Sequence, residues 1–143
     1  PKIKDQDIVE ITKSAVQIFK SSNLKIKTTK DKIIWPIDRT QWIRVLTNLI
    51  QNAIQAVPEN RKPNINLHIS LEKNKLKMNI EDNGTGIVKK DQLKIFEPKF
   101  TTKSAGMGLG LAIVKNIIDS LNGNISFKSE PNKGTKFSII LKK

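Results

Sequence analysis

Residues 80–87 read I-E-D-N-G-T-G-I, residues 96–103 read F-E-P-K-F-T-T-K, and residues 106–115 read G-M-G-L-G-L-A-I-V-K. The first glycine-rich turn follows an alternating run that ends in Asp82. The second leads into an apolar helical pattern that we expect to begin near Leu111. Glycine allows positive φ and close approach of backbone to a ligand. N–H groups exposed ahead of a helix form an anion site. One such motif alone would indicate an ordinary surface turn. Two of them in this order also predict a loop system for an anionic ligand.

Upstream, the sequence predicts two helices and two short strands. Apolar residues recur at helical spacing over 7–20. Alternation indicates strands over 24–29 and 33–35, which we expect to form a hairpin through a turn at 30–31, with Pro36 ending the second strand. The strongest helix pattern covers 38–57, with Asp38 as its cap and Pro58 as its stop.

Downstream, alternation over 65–71 and 75–82 predicts an antiparallel hairpin. A short helix at 91–95 leads to a loop whose length is typical of a functional lid or of a disordered segment. The last helix ends at 122–123, and two strands follow at 124–129 and 135–141. We therefore expect one domain over 1–143, an α/β sandwich with a mixed, largely antiparallel sheet, helices packed on one face and a mobile lid.

The composition excludes several classes of site. The 143 residues include no cysteine and one histidine, so a thiolate metal site, a disulfide framework or a Ser-His-Asp triad is poorly supplied. No run approaches the roughly 18 apolar residues of a membrane span.

The net charge of +13 favours anionic partners. The lysines are scattered and aromatic residues are few, so we do not expect nucleic-acid binding. Because the chain begins with Pro1, we expect it to be part of a longer protein.

Three polar residues have both a structural and a functional interpretation. Asn48 and Asn52 stand four apart on the helix 38–57, beside its apolar stripe, although asparagine is a poor helix former. They either bond to neighbouring backbone, or Asn52 offers an amide oxygen to Mg²⁺. Asp82 either forms the turn or accepts a hydrogen bond from an exocyclic amine. We expect His68, which lies inside a strand, to be structural.

Five motifs in order resemble the catalytic ATP-binding domain of bacterial sensor histidine kinases, in the GHKL superfamily of ATPases and kinases with the Bergerat fold. They are N-L-I-Q-N-A (48–53), D-N-G-T-G-I (82–87), F-E-P-K-F-T-T-K (96–103), G-M-G-L-G-L-A-I-V-K (106–115) and G-T-K-F (134–137). The motifs cover about 38–143. The F-E-P-K-F segment and the A-I-V that follows the second glycine motif favour a histidine kinase over other branches.

The resemblance implies ATP and Mg²⁺ as ligands and assigns a role to each matching residue. Asn52 would be the Mg²⁺ ligand, with Asn48 beside the phosphates, and Asp82 would receive the adenine amine. The residues that would complete the nucleotide site are Gly84, Gly86, Lys103, Gly106, Met107, Gly108, Leu109, Gly110 and Thr135. Phe96 and Phe100 would anchor the lid and meet the partner domain.

Two positions depart from the family pattern. Hydrolysing members carry glutamate where this chain has Asn48, and an amide cannot accept a proton near neutral pH. Many histidine kinases carry lysine where this chain has Gln55. Lys103, the helix N-terminus near Leu111 and Mg²⁺ would therefore have to neutralise more phosphate charge, with Arg61 as a further candidate. The resemblance thus implies transfer of the γ-phosphoryl group to a histidine on a separate dimerising helical hairpin, for relay to a response-regulator aspartate, with little turnover by this domain alone.

The resemblance leaves other functions open. One is a nucleotide-sensing module without transfer activity, and another is a serine kinase of the anti-sigma-factor type. The expected location is cytoplasmic, within a homodimeric parent protein that could be anchored in the inner membrane, whereas the isolated domain is expected to be a monomer.

Overall fold

The computed structural model describes residues 2–19, 23–97 and 107–143, with residues 107–109 as backbone only. Within these ranges the chain forms four helices and seven strands. In chain order they are β1 (Lys4–Asp7), α1 (Ile8–Gln17), β2 (Leu24–Thr28), β3 (Ile34–Ile37), α2 (Arg39–Ala56), β4 (Ile65–Glu72), β5 (Lys75–Glu81), α3 (Lys89–Gln92), α4 (Met107–Ser120), β6 (Asn124–Glu130) and β7 (Gly134–Lys142).

Five strands form the main sheet in the order β2-β4-β5-β7-β6. β2 runs parallel to β4, and the other neighbouring pairs are antiparallel. Alternation turns Ile69, Met78 and Ile139 into the core, where α2 and α4 pack against each other and against the sheet. The predicted mixed, largely antiparallel sheet with helices on one face is therefore confirmed.

The opposite face of this sheet is polar and rich in lysine. His68 lies here, half-buried and opposite Asn79, as its place in the alternation predicts. Lys128 lies directly opposite Lys136 where β6 pairs with β7. Like charges in that position repel each other, so this face is not arranged for maximal stability.

The predicted hairpin over 24–35 is wrong. β2 joins the main sheet beside β4, whereas β3 pairs with β1 in a separate two-stranded sheet. Trp35 and Ile37 are buried in the core. Pro36 lies inside β3 rather than after it, because a two-stranded sheet leaves an outer edge where a missing N–H is tolerated.

The last helix begins at Met107, four residues before the predicted start. Gly108 and Gly110 therefore lie in the first turn of α4 and not in a loop ahead of it. The predicted end is confirmed, since Asn122 adopts φ 55° and the Gly123 N–H donates to the carbonyl of Ile118 at 2.9 Å. Asp38 caps α2 as predicted, accepting from the Gln41 N–H at 3.2 Å.

Candidate functional site

A buried carboxylate marks the end of β5. Asp82 has the same parity as Met78 and Ile80, so its side chain turns toward the helices, and it is 5% exposed. Its Oδ1 accepts hydrogen bonds from the backbone N–H groups of Gly84, at 2.8 Å, and Thr135, at 3.3 Å. The backbone on both sides of the strand end thus fixes the orientation of this carboxyl group.

The turn after Asp82 lies against the C-terminal end of α2. The Thr85 N–H donates to the Ala56 carbonyl at 3.0 Å, and a Cβ at Gly84 would stand 2.6 Å from the same oxygen. Gly86 has φ +75°, a conformation that side chains disfavour. The two glycines predicted to shape this turn are therefore required by close packing at Gly84 and by backbone conformation at Gly86.

A small hydroxyl network closes the far side of the turn. Thr135 is buried, and its Oγ1 lies 2.8 Å from Ser129 Oγ. Ser129 Oγ also accepts from the Ile87 N–H at 2.7 Å, joining β6 to the turn. Sequence reasoning missed Ser129. Its position could have been inferred from the sequence, because Ser129 and Thr135 flank the short β6–β7 turn and lie directly opposite each other in the two strands.

The two helix amides lie on α2, and that of Asn48 faces the first turn of α4. Asn48 and Asn52 are both half-buried. Asn48 Nδ2 donates to the Arg44 carbonyl at 2.8 Å. A Cβ at Gly110 would lie 3.1 Å from Asn48 Oδ1, so this oxygen faces α4. Since the first four N–H groups of any helix lack intrahelical acceptors, amide and helix start together form a polar corner.

The other predicted residues divide into three groups. Arg61 directs its guanidinium to the carbonyls of Asn83 and Gly84, and Gln55 is exposed on α2. Residues that fall outside the described ranges are Phe100, Lys103 and Gly106. Met107, Gly108 and Leu109 are placed through their backbone alone, in α4.

Phe96 anchors the start of the segment that leads toward α4. Its ring stands edge-on to those of Phe127 and Phe137, at centroid distances of 5.9 and 6.3 Å. Such T-shaped pairs are a favoured aromatic arrangement. One end of the predicted lid is thus fixed to the sheet through β6 and β7.

The donor set fits magnesium carried by a nucleotide better than a metal held by protein alone. In the described part of the chain, no three His, Cys, Asp or Glu residues cluster as a metal site. Amide oxygens such as those of Asn48 and Asn52 are hard, neutral donors that suit Mg²⁺ when phosphates and water complete its coordination.

Among the described helices, none is long and apolar enough to cross a bilayer.

A family model described as histidine kinase-, DNA gyrase B-, and HSP90-like ATPase matches residues 37–143. Among curated proteins, the chain is 37% identical over 110 residues to the sensor protein TdiS of Thauera aromatica, covering 74% of this chain and 20% of that protein. It is 41% identical over 104 residues to the signal transduction histidine-protein kinase AtoS of Escherichia coli (strain K12), covering 73% and 17%. The chain thus spans about a fifth of the length of these relatives.

Solved structures show the same fold. The catalytic domain of the histidine kinase ThkA, in a nucleotide-free form, aligns over 100% of this chain and 97% of its own, with a TM-score of 0.88 and 29% identity. These comparisons confirm the resemblance on which the sequence-based assignment rests.

Proposed function

Because this chain belongs to the family of histidine kinase-, DNA gyrase B-, and HSP90-like ATPases, we propose that it is the catalytic ATP-binding domain of a sensor histidine kinase. It transfers the γ-phosphoryl group of ATP to a histidine on a separate helical hairpin. The observation that carries this proposal is the buried Asp82 carboxylate, held at the strand end beside the helix that bears Asn48 and Asn52.

Asp82 recognises the adenine end of the nucleotide. Its carboxylate accepts a hydrogen bond from the exocyclic amine, while Gly84 and Gly86 let the turn pack closely against the end of α2 and against β6. Thr135 supports this contact from the facing strand, since its N–H donates to Asp82 Oδ1. A buried polar group of this kind discriminates strongly against a ligand that leaves it unpaired.

The phosphates lie toward the corner formed by α2 and α4. Asn52 is the magnesium ligand, and Asn48 orients the adjoining phosphate or water. When bound, Mg²⁺ supplies neutralisation of the phosphate charge. Met107, Gly108, Leu109 and Gly110 contribute the backbone of the α4 start, whose N–H groups favour an anion. Gly106 and Lys103, which lie outside the described residues, complete the phosphate site, with Lys103 as its cation.

The chain positions the phosphoryl donor and supplies no base for water. Asn48 stands where a proton acceptor would be needed for hydrolysis, and its amide cannot take a proton. Transfer therefore awaits an imidazole nitrogen, which forms a bond to the γ-phosphorus as the bond to the bridging oxygen of ADP breaks. Most of the catalytic effect comes from alignment and charge stabilisation.

The wider context belongs to the same proposal. The acceptor hairpin is a part of the parent protein, which acts as a homodimer and passes the phosphoryl group to an aspartate of a response regulator. The domain itself is a monomer that works in the cytoplasm, on a parent that could be anchored in the inner membrane.

Calorimetric titration with Mg²⁺ and ATP tests the binding site. Wild type should bind in the micromolar range, at about −8 kcal/mol. Asp82→Asn keeps Oδ1 for the two backbone donors but places an NH₂ against the adenine amine, so affinity should fall at least about tenfold. Glu81→Gln is the matched control, because Glu81 is exposed on the opposite face of the same strand. If all three proteins bind Mg²⁺ and ATP with the same affinity, Asp82 does not contribute to the nucleotide site.

Transfer is tested separately with γ-labelled ATP and a supplied acceptor hairpin from a histidine kinase. The label should move to the hairpin, be stable in alkali and be lost in acid, as expected for phosphohistidine. Acid-stable label would instead indicate a serine kinase. Binding without any transfer would leave a nucleotide-sensing module.

A further inference from the structure

The turn that follows Asp82 is tied to the loop between α2 and β4 by four hydrogen bonds. Arg61 Nη1 donates to the carbonyls of Asn83, at 2.6 Å, and Gly84, at 3.1 Å. The Asn83 side chain completes the connection, since its Oδ1 accepts from the Asn64 N–H at 2.8 Å and its Nδ2 donates to the Lys62 carbonyl at 2.9 Å. A charged side chain and an amide thus hold the turn from the same side.

One peptide group connects Arg61 to the carboxylate. The Asn83 carbonyl that accepts from Arg61 belongs to the same planar unit as the Gly84 N–H that donates to Asp82 Oδ1 at 2.8 Å. The peptide is trans, so its two polar groups point in opposite directions, one to the guanidinium and one to the carboxylate. Moving or releasing the carbonyl therefore turns the N–H that holds Asp82.

The charge on Arg61 also acts through this peptide. Hydrogen bonds in a chain polarise one another, and a cationic donor on the carbonyl makes the N–H of the same amide a stronger donor. Arg61 is half-buried, which reduces the screening of this effect by water. Arg61 thus influences the Asp82 carboxylate in two ways. It fixes the orientation of the rigid Asn83–Gly84 peptide, and it strengthens the N–H donor of that peptide.

We propose that Arg61 is a positioning residue that sets the base selectivity of the nucleotide site. By fixing the Asn83–Gly84 peptide, it holds the Asp82 carboxylate in the orientation that accepts from a purine 6-amino group and rejects a 6-oxo group. This inference rests on the proposed function, and it replaces the expectation that Arg61 neutralises phosphate. The ligand class is a 6-aminopurine nucleoside triphosphate.

The test compares ATP with ITP, which carries an oxygen where ATP has the 6-amino group. Titrations with Mg²⁺ and each nucleotide give the ATP-to-ITP affinity ratio for wild type, Arg61→Ala, Arg61→Lys and Arg44→Ala. Arg44 is the matched control because it is an exposed arginine on α2. Arg61→Ala should lower the ratio about tenfold, a change of about 1.4 kcal/mol, mainly by weakening ATP binding. Arg44→Ala should leave the ratio unchanged.

A lysine at position 61 restores the charge but not the planar fork, and its ammonium lies one bond closer to the backbone. Arg61→Lys should therefore give an intermediate ratio, and it serves as the variant to measure if Arg61→Ala does not fold. The amide proton resonance of Gly84 provides a readout independent of nucleotide. It should move upfield in Arg61→Ala or Arg61→Lys and stay in place in Arg44→Ala.

The outcomes separate the two proposals. Wild type that binds neither nucleotide overturns the proposed function, and the inference about Arg61 falls with it. Wild type that prefers ATP while Arg61→Ala, or Arg61→Lys in its place, keeps the wild-type ratio overturns the inference alone. Equal weakening of ATP and ITP would reduce Arg61 to a stabilising residue of the loop, which also overturns it.

Discussion

Asn48 and Gly110 face each other where α2 meets the first turn of α4. A Cβ at Gly110 would lie 3.1 Å from Asn48 Oδ1, which is closer than ordinary van der Waals contact. Asn48 cannot simply swing away, because its Nδ2 is held by the Arg44 carbonyl at 2.8 Å. The glycine therefore leaves room for a polar side chain that is fixed at its other end.

Gly110→Ala separates the stability of this corner from its function. Alanine favours the helix by up to about 1 kcal/mol over glycine, which offsets the crowding at Asn48. We therefore expect the melting temperature to change little. The affinity for Mg²⁺ and ATP, measured by calorimetry, should fall severalfold because Asn48 is displaced.

A double-mutant cycle with Asn48→Ala tests that cause. If Gly110→Ala acts by moving Asn48, it should cost no further affinity once the Asn48 amide has been removed. The same loss in both backgrounds would mean that the added methyl obstructs the nucleotide directly.

Gly86→Ala should destabilise the protein strongly. Gly86 has φ +75°, and a Cβ there would collide with the carbonyl of Glu130. Strain of this kind costs about 1–3 kcal/mol before the collision is counted. Urea unfolding should show at least that loss, whereas Lys133→Ala, on the exposed β6–β7 turn, should stay within about 0.5 kcal/mol of wild type. If Gly86→Ala and Lys133→Ala give similar urea unfolding curves, the turn around Gly86 accommodates the added methyl group without strain.

The position of Asp82 could be predicted from sequence, whereas its support could not. Alternation along 75–82 fixes which side of β5 faces the helices, and Asp82 continues the buried parity. Arg61 lies in a polar loop where any basic residue looks alike, and only the tertiary structure places its guanidinium on the Asn83 carbonyl.

The errors in the predicted strand pairing and helix boundaries have similar physical causes. Alternation identifies a strand but not its partner, so the strands at 24–29 and 33–35 looked like a hairpin although they join different sheets. Glycine has a low helix propensity, which placed the start of α4 after Gly110. The Lys4–Asp7 strand reads K-D-Q-D and carries no apolar alternation at all.

Asp38 should make stability depend on pH in the acid range. Hydrogen bonds from the backbone N–H groups of Lys2 and then Gln41 hold the pKa of this carboxyl below its ordinary value. A lowered pKa stabilises the fold fully above the unfolded-state value, about 3.9, and this contribution is lost as pH falls through the lower folded-state pKa. The free energy of unfolding should thus decline below about pH 4.

Asp38→Asn isolates this contribution, because asparagine also caps helices well. The variant should be less stable than wild type at pH 7, and the two should converge as the pH falls through the lowered folded-state pKa of Asp38. Chemical denaturation across this range measures the difference, with Asp31→Asn on an exposed loop as the control. If wild type and Asp38→Asn differ in free energy of unfolding by the same amount at all pH values, the charge of Asp38 does not contribute to stability.

Lys128→Glu should stabilise the sheet. Lys128 lies on the edge strand β6 directly opposite Lys136, so the substitution converts a repulsive cross-strand pair into an attractive one. Such pairs contribute about 0.2–1 kcal/mol, and the gain should shrink in 1 M salt, where the Debye length falls to about 3 Å. Lys128→Gln removes the repulsion without adding attraction, so it should give a smaller gain. A loss of stability in Lys128→Glu at low salt would mean that Glu130, two residues along β6, outweighs Lys136 in the field at this position.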